Sequence, residues 1–181
     1  PTVATLVAHQ SAGVDGVSDV VAAYEVAQRS RLAIAPELVI EVARDRRRLA
    51  LVTFGVDTVG YAHGLRWKLL EGAAVPDPPV WDILQLAHGP FQQFFHEPML
   101  LVLLPTASDA THRSLCARLR SMLVPSRHAV LELAAQHRGP LGWFEHDALI
   151  GELTHTLLAA NPRDLMSWPG KGLDRSLYTL D

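Results

Sequence analysis

Two short apolar runs constrain this chain more than anything else in it: Leu49 to Phe54 (LALVTF) and Met99 to Leu104 (MLLVLL). Neither alternates with polar residues, so each fits a strand only where helices cover both faces of its sheet. The second run lies between Pro98 and Pro105 and reads as a fully buried central strand. Helical patterns fill the intervals. One region runs from about Ser18 to Arg47 and is interrupted at Pro36, which predicts two helices meeting there. A second, Thr58 to Glu71, has Val59, Ala62, Leu65, Leu69 and Gly72 recurring three and four apart; others are Ser108 to Leu123 and Phe144 to about Ala159. Val3 to Ala8 and Val130 to Ala134 read as further strands. The stretch AAVPDPPVW is barred from helix by its prolines and reads as an extended link toward Trp81, followed by a helical turn from Asp82 to Ala87. Strands separated by helices imply right-handed βαβ units. The expected fold is α/β, a three-layer sandwich with a parallel sheet flanked by helices, of flavodoxin-like topology.

Composition narrows the function classes. The 181 residues, 49% apolar and 19% charged, suit one compact domain, and no internal repeat or low-complexity tract divides them. A formal charge of −3 argues against a nucleic-acid surface, although Arg44 to Arg48 (RDRRR) is a local basic cluster. That cluster reads first as the solvated end of a helix, where cations meet the negative pole of the helix dipole, and second as a phosphate contact. A single cysteine, Cys116, rules out an internal disulfide and suits a reducing cytoplasm. It falls within the apolar pattern of Leu115, Leu119, Met122 and Leu123 and reads as a buried structural thiol. No window is long and apolar enough for a membrane span, and no signal peptide is evident. A cytoplasmic protein without membrane or nucleic-acid partners is expected.

The residues suited to chemistry follow the first run. Gly55 ends it with a turn, and Thr58 opens the next helix, an arrangement common in phosphate and substrate cradles. Lys68 and Glu71 lie three apart on one face of that helix, and His88 precedes Gly89 and Pro90. The turn itself, GVDTVG, lacks the glycine spacing of a dinucleotide site.

The order of strand, Gly turn, a helix bearing LRWKLLEG, a proline-containing link, QLAHGP and a buried strand resembles the sugar isomerase (SIS) domain family. The likeness is to the second SIS domain in the isomerase half of glucosamine-6-phosphate synthase. Lys68 and Glu71 match that family's LKxKE, and His88, Gly89 and Pro90 match its ELKHGP. The closing LDRSLYTLD is similar to the tail that lies over the family's active site. The resemblance covers about Leu49 to the C-terminus. It implies a single SIS-like domain over residues 1–181, or one in which residues 1–47 are the tail end of a preceding SIS domain.

Roles follow from that resemblance. Glu71 resembles the base that moves a proton between C1 and C2 of an open-chain hexose phosphate through an enediol. His88 resembles the group that assists ring opening and reaches the site from a neighbouring subunit, which implies a homodimer with shared sites. Lys68 resembles the lysine that steadies negative oxygen charge. Gly55 and Thr58 are the expected substrate cradle. Gln85 stands where the family has glutamate, and Arg175 stands where its tail has a functional lysine; Lys171 is a candidate replacement. An arginine grips phosphate but forms no imine, so amination chemistry is disfavoured. The Ser/Thr-rich phosphate loop has only a faint echo in AHQSAGVDG, Ala8 to Gly16. The resemblance requires no metal or organic cofactor.

Plainer readings stand beside these. Lys68 and Glu71 also fit a solvated helix pair, and His88 a turn residue. FEHDALIGELTH gathers Glu145, His146, Glu152 and His155 without the HExxH spacing of a metal helix. Two functions result: a phosphosugar isomerase, or a related deglycase or deaminase on an amino-hexose phosphate, and a non-catalytic sugar-phosphate-binding regulatory or interaction module.

Overall fold

A computed structural model describes residues 16–29, 36–44, 46–168, 170–173 and 175. The expected strand at Val3 to Ala8, the AHQSAGVDG echo apart from Gly16, and most of the closing tail lie outside the described residues. Helix α1 spans Gly16–Arg29 and α2 spans Pro36–Ala43. Pro36 thus opens the second helix, in the first turn where its missing N–H costs nothing. Strand β1 is Arg48–Thr53, helix α3 Val56–Gly72, strand β2 Val80–Asp82 and helix α4 Ile83–His88. A 3₁₀ turn, Pro90–Phe95, precedes β3 at Met99–Leu103; α5 is Ala110–Met122, β4 is Ala129–Glu132 and α6 is Gly139–Ala160.

The four strands are all parallel in the order β2-β1-β3-β4, with Leu51 opposite Val80 and Val102. The two apolar runs are the two central strands. Every residue of β3 is buried, as is all of β1 after Arg48, because helices cover both faces. Leu49 and Leu51 point to a core shared with α2, α3 and α6, through Val42, Leu65, Leu69, Ile150 and Leu153. Ala50, Val52 and Phe54 point the other way, toward Ile83, Leu86, Phe94, Cys116 and Leu119. The crossover from β1 to β2 runs one way along the sheet and that from β2 to β3 runs the other, so the two keep one hand only by crossing opposite faces. This is why α3 and α4 lie on opposite sides of the sheet.

The prolines of AAVPDPPVW do give an extended link, and it ends in the short edge strand β2. Helix α6 starts earlier than its apolar pattern indicates. Gly139 and Pro140 form its first turn, ahead of the Phe144 where amphipathic spacing begins. Cys116 is buried, and burial, helped by nearby Glu132, pushes its thiol up to about 11, so it is a poor nucleophile. Arg44 is exposed at the end of α2, whereas Arg47 is half-buried. It pairs with Glu41 at 2.6 Å and donates to the carbonyls of Met99 and Arg127, pinning the chain where β1 begins. Among the described residues, no helix is long and apolar enough to cross a membrane.

Candidate functional site

Two concave regions lie at opposite ends of α3. The first is at its carboxyl end. Leu70, Glu71 and Ala74 face Arg163, Asp164, Leu165, Ser167 and Trp168 across a cavity of about 730 Å³. The α3 terminus builds one wall: the N–H groups of Ala73 and Val75 both return to the Leu69 carbonyl, and Ala74 takes a left-handed φ of 50°. That conformation costs an alanine roughly 1 kcal/mol. Opposite, the Asp164 carboxylate accepts the N–H groups of Met166 and Ser167, fixing the turn that carries Trp168. The Lys171 ammonium bonds the Met166 carbonyl and so ties the tail to this wall.

Glu71 is exposed at the cavity. Lys68, one turn earlier, packs against α6: its ammonium is 2.7 Å from Asp147 Oδ1, while Asp147 Oδ2 accepts the Tyr24 hydroxyl at 2.7 Å. Burial and the Asp147 charge push the Tyr24 hydroxyl up to about 12. Asp147 therefore joins α1, α3 and α6. His88 ends α4 and is exposed on the other side of the sheet, so a single chain does not bring it to Glu71. Gln85 is exposed and accepts the Asp82 N–H at 3.4 Å, while Asp82 caps α4 through the Leu84 N–H; together they form a capping box. Arg175 is exposed in the tail.

The second region lies at the carboxyl edge of the sheet, between β1 and β3, where the strand order reverses and open α/β sheets place their ligands. Here Gly55, Thr58, Tyr61, Thr106, Asp109, His112, His137 and Arg138 line a crevice of about 220 Å³. Gly55 has φ 90° and ψ 177°, a conformation essentially restricted to glycine. Its N–H bonds Asp82 Oδ2 at 2.8 Å, and the buried Thr58 hydroxyl donates to the Phe54 carbonyl at 3.1 Å. The expected cradle residues thus lie together here, away from Lys68 and Glu71.

Sequence reasoning missed Asp109, His112, His137 and Arg138 in this crevice and read Glu145 and His146, just behind it, only as part of a helix without metal-ligand spacing. Asp109 caps α5 through the N–H groups of Thr111 and His112 and pairs with Arg138 at 2.7 Å. Partial desolvation opposes its charge, but those N–H groups, with His112 and Arg138, hold the carboxyl below its usual range. His112 Nδ1 accepts the Thr106 N–H at 3.0 Å, so Nε2 carries the proton of the neutral ring; burial lowers its pKa against the pull of Asp109. Glu145 is buried. Oε2 accepts the N–H groups of Gln136 and His137, and Oε1 is 2.7 Å from His137 Nδ1. Beside it, His146 is buried with Nε2 against the Pro105 carbonyl and Nδ1 at 2.8 Å from the Tyr61 hydroxyl. A carbonyl only accepts, so Nε2 carries the proton, and burial pushes the pKa down to about 4. The available signal was Gly139-Pro140, a helix start that puts Glu145 and His146 more than one turn inside α6.

A candidate phosphosugar isomerase from Salmonella typhimurium superposes on 83% of this chain with a TM-score of 0.56 and 16% identity. This chain shares its fold. It spans 45% of that protein's length. Lower similarity is found to a candidate tagatose-6-phosphate ketose/aldose isomerase from Clostridium novyi, with a TM-score of 0.45, 14% identity, 76% of this chain and 42% of that one. The tagatose-6-phosphate ketose/aldose isomerase from Escherichia coli gives a TM-score of 0.40 and 16% identity over 68% and 41%. The chain therefore spans less than half of each solved structure it matches. No protein-family model and no curated protein matches the sequence.

Proposed function

We propose that this chain is an SIS-type domain that isomerises a hexose phosphate between its aldose and ketose forms, resembling the second SIS domain of glucosamine-6-phosphate synthase. The observation that carries the reading is Glu71 on the wall of the 730 Å³ cavity, a volume suited to a hexose phosphate. The fold shared with a candidate phosphosugar isomerase supports it.

The chemistry needs one base and a grip on the phosphate. Glu71 takes the proton from C2 of the open-chain aldose as the C1 carbonyl becomes an enediolate oxygen; the O2 hydroxyl proton passes to O1, the C2–O2 bond becomes the carbonyl, and the same carboxyl returns its proton to C1 of the ketose. Arg163 lines the cavity and supplies a guanidinium for the phosphate, with Lys171 and Arg175 in the adjoining tail. Lys68 is the nearest helix cation for the enediolate, and it must exchange its contact with Asp147 to serve there. His88 of a second copy assists ring opening, because the sheet separates His88 from Glu71 within one chain. Isomerisation without nitrogen transfer is the preferred form, since Arg175 stands where an imine-forming amine would be.

Glu71→Gln keeps the shape of the side chain and removes the base. Turnover of fructose 6-phosphate is expected to fall roughly 10²- to 10⁴-fold while binding measured by calorimetry changes little. Unchanged turnover would remove Glu71 from the mechanism. The second reading, a sugar-phosphate sensor, is favoured by the engagement of Lys68 with Asp147 and requires binding with no turnover in the unaltered chain.

A further inference from the structure

A third concave region lies on the α4 side of the sheet, where β3 and β4 begin, at the edge opposite the Gly55 crevice. It is a cleft of about 70 Å³. Phe91, Phe94 and Phe95 of the 3₁₀ turn form one apolar wall, and the chain at the end of α5, from Met122 to Val124, forms the other. Hydrogen bonds fix the two walls to each other. The N–H groups of Arg127 and His128 both return to the Val124 carbonyl at 2.9 Å, and Arg127 Nη2 donates to the Phe95 carbonyl at 2.6 Å.

His128 is the buried part of this lining. It is 7% exposed, and its ring centroid lies 5.4 Å from that of Phe94. Its Nδ1 is buried with no hydrogen-bond partner among the described residues, which is costly for a polar atom. Burial, then Arg127 and Arg47, lower the pKa of the ring against the pull of the Phe94 carbonyl, so the imidazole is neutral at pH 7. Each nitrogen of a neutral imidazole either donates or accepts, and a hydroxyl does both, so a hydroxyl satisfies Nδ1 in either tautomer. A water molecule needs two or more polar partners, which walls of Phe, Met, Leu and Val do not supply. An apolar molecule with one hydroxyl matches the whole lining.

We propose that this cleft is a small-molecule site for a phenol, whose hydroxyl bonds His128 Nδ1 and whose ring rests on Phe95 and Met122. The size agrees, since a cavity of roughly 150 Å³ encloses a benzene ring. A cleft about half as large takes the hydroxyl-bearing end and leaves the rest of the ring on the rim, where Phe95 and Met122 are exposed. Aromatic and sulfur contacts there favour a ring over an aliphatic chain. The site is separate from the Glu71 cavity and does not require the isomerase reading to hold.

Titrating the whole chain with phenol, and separately with toluene, while following the histidine ring protons by NMR tests it. The His128 signal is assigned by its loss in His128→Phe. Toluene has the same shape and is the more apolar, so burial alone would favour it. A saturable His128 shift at millimolar phenol, with toluene binding roughly tenfold more weakly, is expected. Phe95→Ala, an exposed change that spares the core, should weaken phenol binding several-fold. In His128→Phe, followed through the ring signals of the neighbouring phenylalanines, the preference for phenol should vanish. No saturable shift with phenol, toluene binding as tightly as phenol, or an unchanged affinity in Phe95→Ala overturns the proposal. Glu71→Gln should leave the phenol response unchanged; its loss there would assign phenol to the other cavity and also overturn it.

Discussion

At the scale of single residues, His146 shows how strongly burial sets chemistry. The unfolded chain carries this imidazole near the ordinary 6.5, while the folded chain holds it down at about 4. Between those values the unfolded state binds a proton that the folded state refuses. The stabilisation is complete above about pH 6.5 and is lost as pH falls through the window, on the order of 3 kcal/mol by the bottom of it. His112 and His128, whose pKa values are also lowered chiefly by burial, act in the same direction. Urea midpoints should therefore drop clearly between about pH 7 and about pH 4.5, and His146→Gln should flatten the drop. A wild-type midpoint that does not move would contradict this assignment. Tyr61→Phe removes the hydroxyl bonded to His146 Nδ1 and is expected to cost about 1 to 3 kcal/mol at neutral pH, read from the same titration.

At the scale of elements, the meeting of the 135–139 turn with α6 depends on Gly142. A methyl group there would meet backbone rather than a yielding side chain, since its neighbour at 2.4 Å is the His137 carbonyl oxygen. Gly142→Ala should cost on the order of 1 to 3 kcal/mol in chemical denaturation and should shift the His137 ring signals. Gly72 offers a contrast. Its added Cβ would lie 2.7 Å from Thr154 Cγ2, a side-chain atom that a rotation can move, so Gly72→Ala should be the milder change. Equal losses from the two would show that backbone proximity is not what fixes the turn. Helix α3 is the element most legible in the sequence, because its apolar spacing continues through the buried Ala62, Leu65 and Leu69. The start of α6 was not legible by spacing, since Gly139 to Gly142 precede its apolar face.

At the scale of the whole molecule, the two-faced sheet makes the proposed reaction a test of assembly. Glu71 belongs to the α3 side and His88 to the α4 side, so a site needing both is shared between copies. Glu71→Gln and His88→Asn chains should each be nearly inactive, and mixing them with subunit exchange should restore part of the turnover, because some pairs then contain one intact site. Absence of any recovery in demonstrably mixed dimers would rule out sharing.

What the sequence determined by itself was the architecture. Two apolar runs without alternation demanded a sheet buried on both faces, and local spacing placed most helices between the strands, because burial and periodicity are properties of short segments. It also singled out Gly55, Thr58, Lys68, Glu71 and His88. Only tertiary structure decided which of these meet. Gly55 and Thr58 face one end of α3, Glu71 faces the other, Lys68 turns to Asp147, and His88 lies beyond the sheet. The crevice of Asp109, His112, His137, Arg138 and Glu145 left little trace in the sequence for the same physical reason. Its members come from separate segments, and only the meeting of the α5 N-cap with the turn that opens α6, at the carboxyl edge of the sheet, makes them neighbours.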